Sequence, residues 1–250
     1  MKNKLFIVTG GSNGFGRALV LSLLEKNYFV ISISRSYLSQ SETEMYAHTF
    51  SQVKIDFSSL FSKKLEKALI KVLKSIQLKN IDEVFLINNA AIVGPVDRIE
   101  KLSEKEISKH LQINLSAPII MTQIFLKLFS KFKGLKSVVQ ITSGAATSPV
   151  EGWGLYCAGK AGLNMFNQVL VIQNASDKNF KAIGYSPGIM DTNMQINIRK
   201  TKKSQFPQVD EFKAFKQDQK LRSPEYVATD LIRILSNQSE LISGNIYRVS

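Results

Sequence analysis

Cysteine, histidine and tryptophan are almost missing from this chain. Cys157 is the only cysteine among 250 residues, so no disulfide can close within it. Together with only two histidines, His48 and His110, it cannot supply a familiar structural zinc site, and no metal is expected. Long apolar runs are also missing. None approaches the roughly 20 residues of a membrane span. The opening stretch MKNKLFIVTGG reaches Thr9 and Gly10 too soon for the about 7–15 apolar residues of a secretory leader. A cytoplasmic protein without membrane contact is expected. Acidic residues are scarce too: 20 Asp and Glu stand against 33 Lys and Arg, a formal charge of +13. The basic residues are scattered, densest between Arg199 and Arg222. Such an excess suits plain solubility or an acidic partner such as nucleic acid, an anionic membrane or a phosphorylated ligand. No nucleic-acid motif accompanies it, so no nucleic-acid partner is expected.

What is present is an ordinary globular composition, 44% hydrophobic and 21% charged. A chain this long can bury roughly 70–75% of its unfolded surface, and one domain over 1–250 is expected. Short apolar, β-rich runs alternate with longer helical patterns. The runs are 5–9, 28–34, 50–56, 83–88, 137–143, 182–186 and 245–249. Runs of this kind suit strands buried on both faces of a parallel sheet. Helices are expected at 15–26, 60–77, 104–131, 155–176 and 224–237. Ser223-Pro224-Glu225 gives the last of these a capping serine and a first-turn proline. The alternation predicts an α/β fold: a single Rossmann-type doubly wound parallel sheet of about seven strands with helices on both faces. The segment 191–222 shows no regular pattern, and a long irregular stretch in a compact domain reads as a substrate lid.

Gly10, Gly14 and Gly16 punctuate the segment Thr9-Gly10-Gly11-Ser12-Asn13-Gly14-Phe15-Gly16, directly after the first strand and at the opening of the first helix. In that context glycines allow a tight turn, a close approach of backbone to a pyrophosphate, and helix–strand packing. Ser12, Asn13 and Phe15 lie in the same turn. The second strand ends Ile33-Ser34-Arg35-Ser36, with no carboxylate to hold ribose hydroxyls. Arg35 is placed to pair with a 2′-phosphate, which favours NADP(H) over NAD(H).

Tyr156 and Lys160 stand at i and i+4, on one face of a helix. Ser143 closes the strand before it, on the side of the sheet where chemistry gathers. Asn114 is a polar residue amid a long apolar helix. Read singly, each has an ordinary structural explanation. Together with the glycine turn they resemble the short-chain dehydrogenase/reductase family over nearly the whole length. The matching residues are Thr9 to Gly16, Asp56, Asn88-Asn89-Ala90-Ala91, Asn114, Ser143, Tyr156/Lys160, and Pro187-Gly188 with Thr192. The family usually has glycine where Ala91 stands. The stretches 143–166, 186–195 and 221–225 are most similar to the sepiapterin-reductase-like branch and, within it, to bacterial benzil reductases.

The resemblance implies an enzyme, an oxidoreductase that moves hydride between NADPH and a small carbonyl compound. Tyr156 would be the general acid, Ser143 would hold the substrate oxygen, and Asn114 would hold a water linking Lys160 to solvent. Lys160, one turn from Tyr156, is expected to lower the phenol's pKa and to reach the nicotinamide ribose. Ile189 and Thr192 would meet the nicotinamide, Asp56 and Phe57 the adenine, and Asn89-Ala90 the adenosine ribose. The tail SGNIYRVS lacks the acidic residue with which sepiapterin reductases hold a pterin. That favours an aromatic ketone or 1,2-diketone over a pterin. Trp153, Met190 and Met194 are expected to wall the substrate pocket. Surplus apolar residues on helices 104–131 and 155–176 suggest a homodimer, or a homotetramer built from it. Competing readings are a cofactor-sensing protein without turnover and a basic nucleic-acid binder. His110 is expected at the surface or an interface, without a chemical role.

Overall fold

The computed structural model describes residues 3–59, 61–76, 78–237 and 240–250. The strands are β1 (Lys4–Thr9), β2 (Phe29–Ser34), β3 (Phe50–Lys54), β4 (Glu83–Asn88), β5 (Leu135–Ile141), β6 (Phe180–Ser186) and β7 (Ile246–Arg248). All pair in parallel, in the order β3-β2-β1-β4-β5-β6-β7. β1 and β4 are buried along their whole length, because helices cover the sheet on both faces. Successive side chains of a strand point to opposite faces. Leu5 and Ile7 therefore enter one core and Phe6 and Val8 the other.

The helices are α1 (Gly14–Glu25), α2 (Gln40–Thr43), α3 (Ser62–Ser75), α4 (Glu104–Leu111), α5 (Ala117–Leu128), α6 (Gly154–Gln173), α7 (Asn193–Arg199), α8 (Val209–Gln217) and α9 (Pro224–Ser236). Leu19, Leu23 and Leu24 of α1 and Val227, Leu231 and Leu235 of α9 fill one core. Leu65 and Leu69 of α3, Met121 and Phe125 of α5, and Leu170 of α6 fill the other. Each fully buried leucine of this kind contributes about 1.5–3 kcal/mol. α9 starts as its sequence indicates: Ser223 accepts from the Tyr226 N–H, and Pro224 occupies the first turn.

Three expectations are revised. The helix expected over 104–131 is interrupted by a π-turn at Gln112–Ser116 and ends at Leu128. Pro118 is the physical reason, since it has no N–H to offer the Asn114 carbonyl four residues earlier. The segment 191–222 is not irregular but carries α7 and α8. One-turn α2 was not foreseen. The expected helix 60–77 runs from Ser62 to Ser75, and residues 60 and 77 lie outside the described residues. By length and composition alone Glu104–Leu128 could cross a membrane. Here its apolar side instead covers the sheet, with Ile113, Met121, Ile124 and Phe125 buried.

The chain order reverses at β1, with β2 on one side and β4 on the other. A crevice opens beyond the carboxyl ends of strands at such a reversal, and here it holds the site.

Candidate active site

A cleft of about 1070 Å³ runs from the glycine turn, past the ends of β4 and β5, to α7. Gly10 has φ +70°, and a Cβ there would come within 2.9 Å of the Ala90 Cα. A Cβ on Gly16 would fall 2.2 Å from the Gly10 carbonyl oxygen. Glycine at both positions is what lets the turn lie against the end of β4. Thr9 and Asn89 lock it there. The Thr9 hydroxyl accepts from the N–H groups of Asn89 and Ala90, both at 3.0 Å. The Asn89 amide donates to the Thr9 carbonyl at 2.9 Å. Asn89 is therefore a brace of the turn as well as a lining residue. Asn13 caps α1 by accepting from the Gly14 N–H at 2.8 Å. Phe15 turns inward and stacks near Tyr185.

Ser34 donates to the Ser36 carbonyl at 2.7 Å, and Ser12 and Ser36 share a hydrogen bond of 2.9 Å. This bend leaves Arg35 exposed at the cleft wall. Asp56 stands across from it. Its carboxyl is held below the usual range, chiefly by hydrogen bonds from Ser58 and in smaller part by the Arg35 charge. Asp56 is the only carboxylate lining the cleft among the described residues, against Arg35, Lys160, Lys200, Arg222 and Arg248. Phe57 is buried edge-on to Phe61.

At the other end lie Ser143, Tyr156 and Lys160. Ser143 is two residues past β5, where its Oγ accepts from the Ala145 N–H at 3.2 Å. Its hydroxyl also lies near enough to the Tyr156 phenol to lower that group's pKa. Burial pushes the Tyr156 phenol up to about 12, and the Ser143 bond offsets only part of that. Lys160 is buried, donates to the Ile141 carbonyl at 2.7 Å, and is brought down to about 8 by desolvation. Its Nζ lies 5.7 Å from the centre of the Tyr156 ring. The expected lowering of the phenol by Lys160 does not appear: burial dominates, and Lys160 is not among the influences on Tyr156.

Asn114 sits in the π-turn, buried and outside the cleft lining. Its Oδ1 accepts from the Ile92 N–H at 2.9 Å, and its Nδ2 reaches the Ile92 carbonyl and His110 Nε2, each at 2.7 Å. Its side chain braces the loop after β4 and is spent there. Its carbonyl cannot receive the ordinary helical bond from Pro118, which has no N–H to give. Gly159 lets α6 approach this turn, since a Cβ there would stand 3.3 Å from that of Asn114. His110 is the residue that sequence reading missed. It is fully buried, not at the surface. Nδ1 pairs with the Gly94 carbonyl at 2.8 Å, and the ring meets Tyr156 edge-on at 6.4 Å. Burial lowers its pKa, so it is a neutral imidazole whose Nε2 accepts from Asn114. The signal available was its spacing, one helical turn before Asn114.

Ile189, Met190, Thr192 and Met194 all line the cleft. Thr192 precedes α7, and Asn193 donates to the Asn13 side chain at 3.3 Å, so this segment rests on the glycine turn. Met190 also pairs with Arg222 in an isolated bridge. Trp153 is both wall and filler: it lines the cleft and is 7% exposed. Among the basic residues of 199–203, Arg199 meets Asp191 and Lys203 meets Asp210, while Lys200 lines the cleft. No metal-binding cluster of His, Cys, Asp or Glu occurs among the described residues. The lining fits a dinucleotide. It offers a turn that side chains would fill, a helix start beside it, and cationic walls nearly free of carboxylate.

The same residues connect the chain to known proteins. A model of the short chain dehydrogenase family matches residues 4–203. Benzil reductase ((S)-benzoin forming) of Bacillus subtilis is 35% identical over 247 residues, covering 98% of each chain. Sepiapterin reductase of Rattus norvegicus is 34% identical over 207 residues, 78% of this chain and 77% of that one. A short-chain dehydrogenase/reductase from Saccharomyces cerevisiae superposes with a TM-score of 0.84 at 27% identity, over 99% of this chain and 96% of that one. With a family match over most of its length and the glycine turn, serine, tyrosine and lysine gathered in one cleft, the chain belongs to the short-chain dehydrogenase/reductase family of oxidoreductases.

Proposed function

We propose that the chain is an NADPH-dependent carbonyl reductase acting on aromatic ketones and 1,2-diketones such as benzil, with Tyr156 as the general acid. The observation that carries this reading is the meeting of Tyr156, Ser143 and Lys160 at one end of a cleft whose other end is the glycine turn beside Arg35. A bound nicotinamide dinucleotide supplies the hydride in such chemistry. The chain's own residues supply the rest. Ser143 donates to the carbonyl oxygen and draws it toward Tyr156. Tyr156, protonated because burial holds its pKa near 12, hands its proton to the oxygen as negative charge develops there. Lys160 keeps most of its charge at neutral pH with a pKa near 8, and stabilises the phenolate left behind. Gly10, Ser12, Asn13, Gly14 and Gly16 receive the pyrophosphate, and Arg35 the 2′-phosphate. Asp56, Phe57, Asn89 and Ala90 receive the adenosine, and Ile189, Thr192 and Lys160 the nicotinamide riboside.

Apolar and aromatic surface around Tyr156, from Val93, Trp153, Met194 and Phe212, suits a flat arene. The tail brings Arg248 and Val249 to the cleft and no carboxylate, which weighs against a pterin. The protein is read as cytoplasmic. It is read as a homodimer or homotetramer formed through helices 104–131 and 155–176. Met165, Val169 and Ile172, at i, i+4 and i+7, leave an apolar stripe exposed on α6.

The experiment is cofactor consumption by the purified protein with benzil, other 1,2-diketones, sepiapterin and simple ketones, using NADPH and then NADH. NADPH-driven reduction of benzil in preference to sepiapterin is the expected outcome. Reduction of sepiapterin alone would move the assignment to a pteridine reductase, and binding without any turnover would move it to a non-catalytic NADP(H)-binding protein.

A further inference from the structure

A run of aromatic rings joins the 191–222 segment to Tyr156. Phe206, between α7 and α8, is fully buried and stacks on Trp153 with 5.3 Å between centroids and 13° between planes. Trp153 meets Tyr156 edge-on at 5.5 Å and 81°. Phe212 of α8 completes the cluster, 5.4 Å from Trp153 and 5.2 Å from Phe206. Offset-stacked and edge-on arrangements are the favoured geometries of such pairs. The Trp153 Nε1 is buried without a hydrogen-bond partner among the described residues. No hydrogen bond therefore sets the indole's orientation, and the rings around it do. Trp153 and Tyr156 line the cleft, whereas Phe206 is not among its lining residues.

The segment carrying Phe206 is fastened at its edges by polar contacts. Gln205 donates to Asp97 at 2.8 Å, Asp191 pairs with Lys216, and the Asp191 N–H donates to the Arg222 carbonyl at 3.0 Å. With this segment in place, Phe206 and Phe212 pack on Trp153, and Trp153 on the phenol ring. We infer that Phe206 is a positioning residue for Tyr156, acting through Trp153, so that turnover requires the 191–222 segment to be seated. This rests on the reading of Tyr156 as the general acid. A side chain that only filled space would affect stability. One that aims the phenol affects the chemical step, where a small misplacement is costly.

Because Trp153 is the only tryptophan, its emission reports on this one cluster. The test compares Phe206→Leu, Phe206→Met, Phe212→Leu and Tyr156→Phe with the wild-type protein. It reads kcat and KM with benzil and NADPH, NADPH affinity, and tryptophan emission. Phe206→Met keeps a long apolar side chain and removes the ring. It is expected to lower kcat about tenfold or more, with KM and NADPH affinity within about threefold and a shifted emission. A Phe206→Met protein with kcat within about twofold of wild type, or with its loss confined to KM, overturns the inference. Should neither Phe206 variant fold, kcat and tryptophan emission of Phe212→Leu decide it, its KM being set aside because Phe212 itself lines the cleft: an about tenfold loss of kcat with shifted emission supports the inference, and kcat within about twofold of wild type overturns it. Turnover retained by Tyr156→Phe would instead overturn the role of the acid itself. An inactive Tyr156→Phe beside a fully active Phe206→Met overturns only the positioning role.

Discussion

Tyr156 is surrounded by protein, and a phenolate there would lose its hydration. The Ser143 contact returns only part of that loss, so the phenol keeps its proton at neutral pH. His110 is governed by the same physics with the opposite sign. Its folded pKa is depressed below the ordinary 6.5 by burial. The unfolded chain then binds a proton before the folded one does, and stability falls as pH drops below about 6.5. Chemical denaturation of wild type and His110→Gln between pH 5 and 8 checks this: the wild type should lose more stability on acidification. Arg35 has no carboxylate partner within ion-pair distance among the described residues. Removing its charge-assisted bond to a phosphate costs about 1.5–3 kcal/mol. Arg35→Asp should therefore shift the NADPH-to-NADH preference roughly 10–100-fold toward NADH, read from the ratio of kcat/KM values. That Tyr156, Ser143, Lys160 and Arg35 come to one cleft was legible in the sequence, because helical spacing and strand ends fix their positions. His110 was not, because its partner Gly94 lies sixteen positions away and reaches it only through the fold.

The strand–turn–helix unit at the N-terminus was the most legible element, since its glycines answer to local geometry alone. Gly16→Ala puts a methyl group against the Gly10 carbonyl, 2.2 Å away before any relaxation. Overpacking of this kind costs about 1–3 kcal/mol. The variant should show a lower urea midpoint and weaker NADPH binding by titration. An unchanged urea midpoint and unchanged NADPH affinity would mean that the turn does not need its close contact. The π-turn at Gln112–Ser116 was hidden because the apolar periodicity runs on through it. Pro118 was the visible sign, and its consequence falls on Asn114, where the backbone carbonyl loses its regular partner. α7 and α8 were missed for a related reason. They are short and mostly polar, yet α8 carries helical marks: Asp210 and Glu211 in its first turn, Lys216 in its last, and Val209 and Phe212 facing inward.

At the scale of the whole molecule, a doubly wound sheet of about seven parallel strands followed from the alternation of short and long patterns, and the strand order places its reversal at β1. The apolar surplus expected on helix 104–131 was less legible, since much of it serves the sheet. Met121, Ile124, Phe125 and Phe129 are buried in its core. What remains outward is the stripe on α6, with Met165 66% and Ile172 75% exposed. The wild-type protein should sediment as a dimer or tetramer at micromolar concentration, and Met165→Lys with Ile172→Lys should sediment as a monomer. A monomeric wild type would reject the interface. The charge of +13 is partly concentrated at the cleft, where an anionic cofactor gives it a use. The central claim concerns one phenolic hydroxyl, and single-turnover reduction of benzil by NADPH with Tyr156→Phe tests it most directly. The account expects NADPH to bind as in wild type while its oxidation is lost by well over tenfold, more than ~1.4 kcal/mol in the barrier. Oxidation at more than a tenth of the wild-type rate would contradict it.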